Sequence, residues 1–334
     1  MAGDAIGVLG AGSWGTALAI QLARAGRRAL LWGHHSGHIA ALARDRVNQR
    51  YLAGVSFPAD VQPESDLEKV VQACATLLVV VPSNAFRDTL KRLAALVGPH
   101  HRIVSATKGF EHGTGRLLHE VCADALPSRT SFAALSGPTF AKEVAIGLPT
   151  AVTIASRDTA FCAELAAEFH SDNFRVYTSD DIIGVELGGA VKNVYAIAAG
   201  ISDGLGFGAN ARVAVVTRSL AEMVRLGEAL GGRRDTFLGL AGIGDLMLTC
   251  TDDQSRNRRF GLAVGKGVST DEAIRQIGQV VEGFASAREV KRRGVALGLE
   301  LPIADQVYSV LYENLPPRVA VRHLLEREQK AEGI

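Results

Sequence analysis

A short apolar run, residues 6–9, ends directly in Gly10-Ala11-Gly12-Ser13-Trp14-Gly15, and an apolar helical pattern begins at once and continues until Gly26. Strand, glycine-rich turn and helix in that order leave few folds open to the chain. In such a turn Gly10 permits the tight reversal, Gly12 lets backbone approach a pyrophosphate, and Gly15 lets helix and strand pack closely. The N–H groups of the helix start lack intrahelical acceptors and bind anions. Gly10, Gly12, Ser13, Trp14 and Gly15 are therefore candidate cofactor-binding residues. A plain glycine turn is the competing reading. The agreement of strand, turn and helix favours a dinucleotide.

The alternation continues. Residues 29–32, 77–81, 102–106, 132–135 and 151–155 are strand-like, with helical stretches between most of them. Continuous apolar runs such as 77–81, ended by Pro82, belong to strands covered on both faces of a parallel sheet. A doubly wound Rossmann-type α/β domain is expected over residues 1–180. After residue 180 strand-like runs stop. Leu187, Val191, Val194 and Ala198 recur at helical spacing, and residues 213–229, 270–277, 284–293 and 303–311 read as further helices. A mostly α-helical second domain is expected over 181–334, a division that the length of 334 residues allows.

Charge narrows the partners. Thirty-six Lys and Arg against 35 Asp and Glu leave a net charge of +1. No global field recruits nucleic acid or an anionic membrane, so any phosphate must be held by a local cluster. Cys74, Cys122, Cys162 and Cys250 are widely spaced. This spacing argues against a zinc site or a disulfide framework and fits a reducing compartment. The opening residues carry an acid and no basic stretch, unlike a signal peptide. Run 77–81 is far short of the ~20 residues of a membrane span. The expectation is a cytoplasmic protein with a small-molecule partner, without nucleic acid, metal or membrane span.

Strand 2 closes as Leu31-Trp32-Gly33-His34-His35, without the acid that an NAD site usually places there for the ribose hydroxyls. An acid would repel a 2′-phosphate; His34 and His35, or Arg27 and Arg28, would attract it. NADPH/NADP+ is the expected cofactor, with NADH/NAD+ accepted; a solvated histidine loop is the competing reading. Ligands of open α/β sheets bind outside the carboxyl ends of the strands. Those ends hold Pro82 and Ser83, then Thr107, Lys108 and Gly109, then Ser136, Gly137, Pro138 and Thr139. Lys108 is the only cation immediately there.

In Gly188-Gly189-Ala190-Val191-Lys192-Asn193, Lys192 flanks an apolar helical stripe. A lysine partly desolvated at a cleft edge, or close to Lys108, has a lowered pKa and can exchange protons near neutrality. Spacing alone equally allows a surface lysine. Further on, Gly242-Ile243-Gly244-Asp245 precedes Ser255-Arg256-Asn257-Arg258-Arg259. Arginines with neutral donors beside them form a phosphate anchor, and Asp245 can hold an ammonium or a substrate hydroxyl. The glycine-bracketed turn from Gly278 through Val280, Val281 and Glu282 to Gly283 has no role by composition alone.

Together these motifs resemble the bacterial NAD(P)-dependent sn-glycerol-3-phosphate dehydrogenase family. The resemblance is carried by Gly10-Ala11-Gly12-Ser13-Trp14-Gly15-Thr16-Ala17, Ala106-Thr107-Lys108-Gly109, Ser136-Gly137-Pro138-Thr139-Phe140-Ala141-Lys142-Glu143, Leu187-Gly188-Gly189-Ala190-Val191-Lys192-Asn193, Gly206-Phe207-Gly208-Ala209-Asn210, Ser255-Arg256-Asn257-Arg258-Arg259 and Val280-Val281-Glu282-Gly283, in the family's order. It implies reversible reduction of dihydroxyacetone phosphate to sn-glycerol 3-phosphate, the start of glycerophospholipid synthesis. It implies Lys192 as proton donor and acceptor, and Lys108, Gly137, Thr139, Asp245, Ser255, Arg256 and Asn257, with Lys192, at the substrate. It implies Ser13, Trp14, His34, His35, Lys108, Ala141, Arg256, Val280 and Glu282 at the cofactor, with Tyr51 as a further contact, and a homodimer. Two other readings remain: a related hydroxyacid dehydrogenase, and a non-catalytic NADP-sensing protein.

Overall fold

The computed structural model describes residues 5–127, 130–328 and 331; the opening residues 1–4 lie outside them. The chain forms two compact units. One holds Met1–Thr107 and Leu118–Ile182, the other Lys108–Leu117 and Ile183–Ile334. The backbone thus leaves the first unit after Thr107, returns at Leu118, and leaves again near residue 182.

In the first unit the strands are β1 (Ala5–Leu9), β2 (Arg28–Trp32), β3 (Val47–Asn48), β4 (Leu52–Ser56), β5 (Val61–Glu64), β6 (Thr76–Val79), β7 (Arg102–Ser105), β8 (Ser131–Ser136), β9 (Thr150–Ala155) and β10 (Phe174–Ser179). Eight of them make one sheet in the order β10-β9-β8-β7-β6-β1-β2-β5. The chain reverses its direction of winding between β1 and β6, the place where doubly wound sheets open a ligand crevice. Side chains alternate between two buried layers: Ile6 and Val8 join one, Ala5 and Leu9 the other. Burial on both faces accounts for the unbroken apolar runs.

One feature departs from an all-parallel sheet. β9 runs antiparallel to β8, with Leu135 opposite Ile154, and β10 then pairs parallel with β9. An apolar run records burial but not strand direction. Strands β5 and β10 had no apolar signature because both are edges. β5 reads Val-Gln-Pro-Glu, with Pro63 where only an edge tolerates it, and β10 alternates with exposed Arg175, Tyr177 and Thr178.

Among the described residues the second unit is helical. Its axis is the helix Ile182–Gly204, wrapped by Gly208–Ala229, Asp245–Thr251, Arg256–Gly265, Glu282–Ala296 and Pro302–Tyr312, among others. The axial helix is long and apolar enough to cross a membrane (mean hydropathy 1.3), yet 89% of that stretch is buried inside the protein. It is a core helix, and Leu187, Val191, Val194 and Tyr195 sit in the cluster that Phe110 and Leu117 also enter.

Within this core Glu222 caps another helix. The helix Pro302–Tyr312 has no side-chain cap of its own; the Glu222 carboxylate accepts from the N–H groups of Ile303 (2.7 Å) and Ala304 (3.1 Å). Burial pushes its pKa up from 4.5 to about 7, against the pull of those two N–H groups. A raised folded-state pKa contributes stability below about pH 4.5 that is lost as pH rises through 7. Glu222→Gln removes that dependence. The stability of this variant relative to the parent should increase between pH 5 and pH 9, by on the order of 3 kcal/mol. A difference in denaturant unfolding that stays constant with pH would contradict it.

Candidate active site

In the first unit the glycine turn is built by close approach. Gly10 has φ of +132°, and a Cβ there would lie 2.3 Å from the Val80 carbonyl oxygen. Its N–H donates to Trp32 O at 2.9 Å, tying the turn to β2. Gly12 is the N-cap of the helix Ser13–Arg24 and has no side-chain cap. A Cβ added at Gly12 would meet nothing within 4 Å. A tight turn, an open approach at Gly12 and a twelve-residue helix starting beside it fit the pyrophosphate of a dinucleotide.

The turn has a brace that the sequence reading missed. Asn48, fully buried, donates from Nδ2 to Ala11 O (3.1 Å) and to Thr16 Oγ1 (2.8 Å). Its Oδ1 accepts from the Tyr51 N–H at 3.2 Å. Tyr51 is half-buried, edge-on to His38 at 5.5 Å and stacked by Arg50 at 5.0 Å. The two-stranded β3–β4 ribbon thus holds both Tyr51 and the glycine turn. Nothing in the local pattern around Asn48 announces this; its signal is burial.

At the end of β2, His34 and His35 are exposed and lie ring against ring at 3.7 Å. Burial lowers the His34 pKa, and the charges of His35 and Arg92 lower it further. Arg92, from the helix Ser83–Ala94, lies over the Trp32 ring at 4.9 Å. It is a cation near this strand end that the sequence did not reveal, because it comes from sixty residues further on. After β8, Gly137 takes φ of +146° and its carbonyl accepts from Thr139 Oγ1 at 3.2 Å. Ala141 then opens the helix Ala141–Ile146 and packs against the sheet's core layer.

The second unit carries the charged residues. A Cβ on Gly188 would lie 2.2 Å from Ala241 O, so only glycine lets the axial helix touch the π-helical turn Leu240–Gly244. Lys192 stands one turn beyond Gly188 on the same face. Asp245 begins the helix Asp245–Thr251 directly after the π-helical turn. The result is a carboxylate with no exposed side-chain surface between two ammonium groups. Lys192 Nζ donates to Asp245 Oδ1, and Lys108 Nζ donates to Oδ2 at 2.9 Å. Burial pushes the Lys192 pKa down to about 7; Asp245 opposes this and Lys108 adds to it. Lys108, which follows a strand of the first unit in sequence, belongs to the helical unit.

Beside this trio runs a chain of amides. Asn257 Nδ2 donates to Asn193 Oδ1 at 2.8 Å, and its Oδ1 accepts from the Gly283 N–H at 2.9 Å. Ser255 caps the helix Arg256–Gly265, its hydroxyl accepting from the Arg258 N–H at 3.2 Å. Arg256 donates to Gln279 Oε1 at 3.3 Å; burial lowers its pKa and the nearby Glu282 raises it. Val280 is exposed and Glu282 opens the helix Glu282–Ala296. Lys108, Lys192, Asp245, Ser255, Arg256, Asn257, Val280 and Glu282 thus lie on the helical unit. Gly10, Gly12, Ser13, Trp14, Gly15, His34, His35, Tyr51, Gly137, Thr139 and Ala141 lie on the sheet unit.

Two family models match the chain. The N-terminal model of NAD-dependent glycerol-3-phosphate dehydrogenase covers residues 5–162, and the C-terminal model covers 181–322. The chain belongs to the NAD-dependent glycerol-3-phosphate dehydrogenase family. A relative named glycerol-3-phosphate dehydrogenase [NAD(P)+] from Vibrio campbellii is 56% identical over 98% of this chain and 96% of its own. Another from Shewanella amazonensis is also 56% identical, over 98% and 97%. The crystal structure of a glycerol-3-phosphate dehydrogenase from Coxiella burnetii superimposes with a TM-score of 0.94 at 48% identity, covering 97% of this chain and 99% of its own. A D-mandelate dehydrogenase solved with NADH, 13% identical with a TM-score of 0.63 over 95% and 99%, shares the fold alone.

For this glycerol-3-phosphate dehydrogenase family member, Asn48→Ala leaves Ala11 O and Thr16 Oγ1 without their buried donor. The dissociation constant for NADPH, read by nucleotide fluorescence, should rise about tenfold. An unchanged value in the folded variant would contradict the brace.

Proposed function

We propose that the protein reduces dihydroxyacetone phosphate reversibly to sn-glycerol 3-phosphate, with NADPH preferred and NADH accepted, and so feeds glycerophospholipid synthesis. The observation that carries this reading is the Asp245 carboxylate bridging Lys192 and Lys108. The reduced nicotinamide, when bound, supplies a hydride to the carbonyl carbon.

The chain's own residues do the rest. As the carbonyl oxygen gains negative charge, Lys192 delivers a proton to it from Nζ, a step suited to an ammonium that burial has brought to a pKa of about 7. Asp245 keeps Lys192 and Lys108 oriented, and the charge of Lys108 stabilises the developing alkoxide. Lys192 regains its proton from solvent; in the reverse direction it accepts the alcohol proton. Ser255, Arg256 and Asn257, at the start of one helix, hold the remote phosphate, where N–H dipoles and the guanidinium both favour an anion. That distant grip orients the reacting end. Gly137 and Thr139 complete the substrate contacts.

On the cofactor side, Gly10, Gly12, Ser13, Trp14 and Gly15 hold the pyrophosphate. His34 and His35 face the 2′-phosphate, with Arg92 adding charge. Tyr51, Lys108, Ala141, Arg256, Val280 and Glu282 complete the contacts. The same reading makes the protein a cytoplasmic homodimer. Four buried, free cysteines support a reducing compartment, and sedimentation at micromolar concentration tests the dimer.

Lys192→Met should lower kcat for dihydroxyacetone phosphate reduction by about 10²–10⁴-fold while the NADPH dissociation constant stays within twofold. Loss of NADPH absorbance is the readout. A variant that keeps most of its activity would overturn the assignment. Parent enzyme that is inert with dihydroxyacetone phosphate but turns over a 2-oxoacid would favour the hydroxyacid dehydrogenase reading. NADPH binding without turnover of either substrate would favour the sensor.

A further inference from the structure

Lys108 reaches the site on a loop with an unusual anchorage. The segment Lys108–Leu117 buries Phe110 and Leu117 in the helical core. Between them the backbone closes on itself, with Glu111 N–H donating to Arg116 O at 3.0 Å and Gly115 N–H to Glu111 O at 2.9 Å. The tip, Gly113 to Gly115, is bound by one face of the helix Glu282–Ala296. Glu289 Oε1 accepts from the Gly113 N–H at 2.9 Å. Arg292 donates to Gly113 O, and Arg293 Nε donates to Gly115 O at 2.8 Å. Glu289 is 2% exposed and pairs through Oε2 with Arg292 at 3.1 Å. A carboxylate is expensive to bury, and this one is spent on a backbone N–H of the loop that carries Lys108.

We propose that Glu289, with Arg292 and Arg293, is a positioning group that locks the Lys108–Leu117 loop onto the helical unit and thereby holds Lys108 against Asp245. This rests on the reading of Lys192 as proton donor. It extends that site by residues that touch neither substrate nor cofactor. Its consequence is electrostatic. The ionisable groups facing Lys192 are Asp245 and Cys250 on the helix Asp245–Thr251 and Lys108 on the loop, with Arg258 beyond Cys250. Of these, Lys108 is the cation that disfavours a charged Lys192. When the lock is broken, Lys108 drifts and Lys192 holds its proton more tightly.

Reduction requires protonated Lys192, so kcat/KM falls as pH rises through its pKa. In Glu289→Leu, which removes the acceptor, and in Arg293→Met this falling limb should move to higher pH, as it should in the reference variant Lys108→Met. The pH-independent kcat/KM should drop about tenfold, and Arg293→Lys, which keeps a donor, should restore part of it. Hydrogen–deuterium exchange supplies a readout independent of turnover. Residues 109–117 should exchange at least about tenfold faster in both lock variants, with the helix Ile182–Gly204 unchanged. A variant that merely lost folded protein would lower the rate at every pH without moving the limb. If Lys108→Met moves the limb and the lock variants do not, the lock is overturned. If Lys108→Met itself leaves the limb in place, the proton-donor reading beneath it fails. The exchange rates then decide the lock alone, and unchanged exchange at 109–117 overturns it.

Discussion

A fully buried carboxylate between two ammonium groups is the interaction around which the helical unit is arranged. Asp245 has no exposed side-chain surface, and Lys192 and Lys108 have 7% and 15%. Three charges placed this far from water are tolerable only when each neutralises another. One carboxylate cannot fully neutralise two cations, so one of the three groups must carry the imbalance. In Lys192, the more deeply buried of the two cations, burial lowers the pKa first, and the charge of Lys108 lowers it further against the pull of Asp245. A proton that is easily surrendered near neutrality is therefore a product of packing as much as of residue type.

That packing draws on distant parts of the chain. Lys192 comes from the middle of the axial helix, which approaches through Gly188. Asp245 is presented by the break from π- to α-helical geometry after Gly244, an irregularity of the kind that often marks functional sites. Lys108 comes from a ten-residue excursion out of the sheet unit, pinned by Glu289, Arg292 and Arg293. Arg258 adds a further tie: its guanidinium reaches Cys250 O at 3.0 Å and Asp203 at 2.5 Å. It thereby connects the helices that carry Lys192, Asp245 and Arg256.

What could be read in the sequence is what local physics determines. The glycine turn was legible because each glycine answers a backbone requirement within a few residues. Lys192 was legible as a polar residue on the flank of an apolar stripe, and the helix start at Arg256 by its Ser255 cap. The membership of Lys108 in the helical unit was not legible, since its sequence neighbours form a sheet strand and only long-range contacts decide where the loop packs. Asn48 and Glu289 look like ordinary polar residues in sequence; their importance lies in near-complete burial against backbone groups 37 and 176 residues away. The reversed direction of β9 was illegible for a different reason: an apolar run has the same pattern in either direction.

The central claim is that Lys192 titrates near neutrality because burial, reinforced by the charge of Lys108, outweighs the pull of the Asp245 carboxylate. The chain has only eight lysines, so protein labelled with ¹³C at the lysine ε-carbons gives a resolvable spectrum. One ε-carbon signal should titrate near pH 7, disappear in Lys192→Met, and move its midpoint upward in Lys108→Met. A spectrum in which every lysine titrates above pH 9.5 would contradict it.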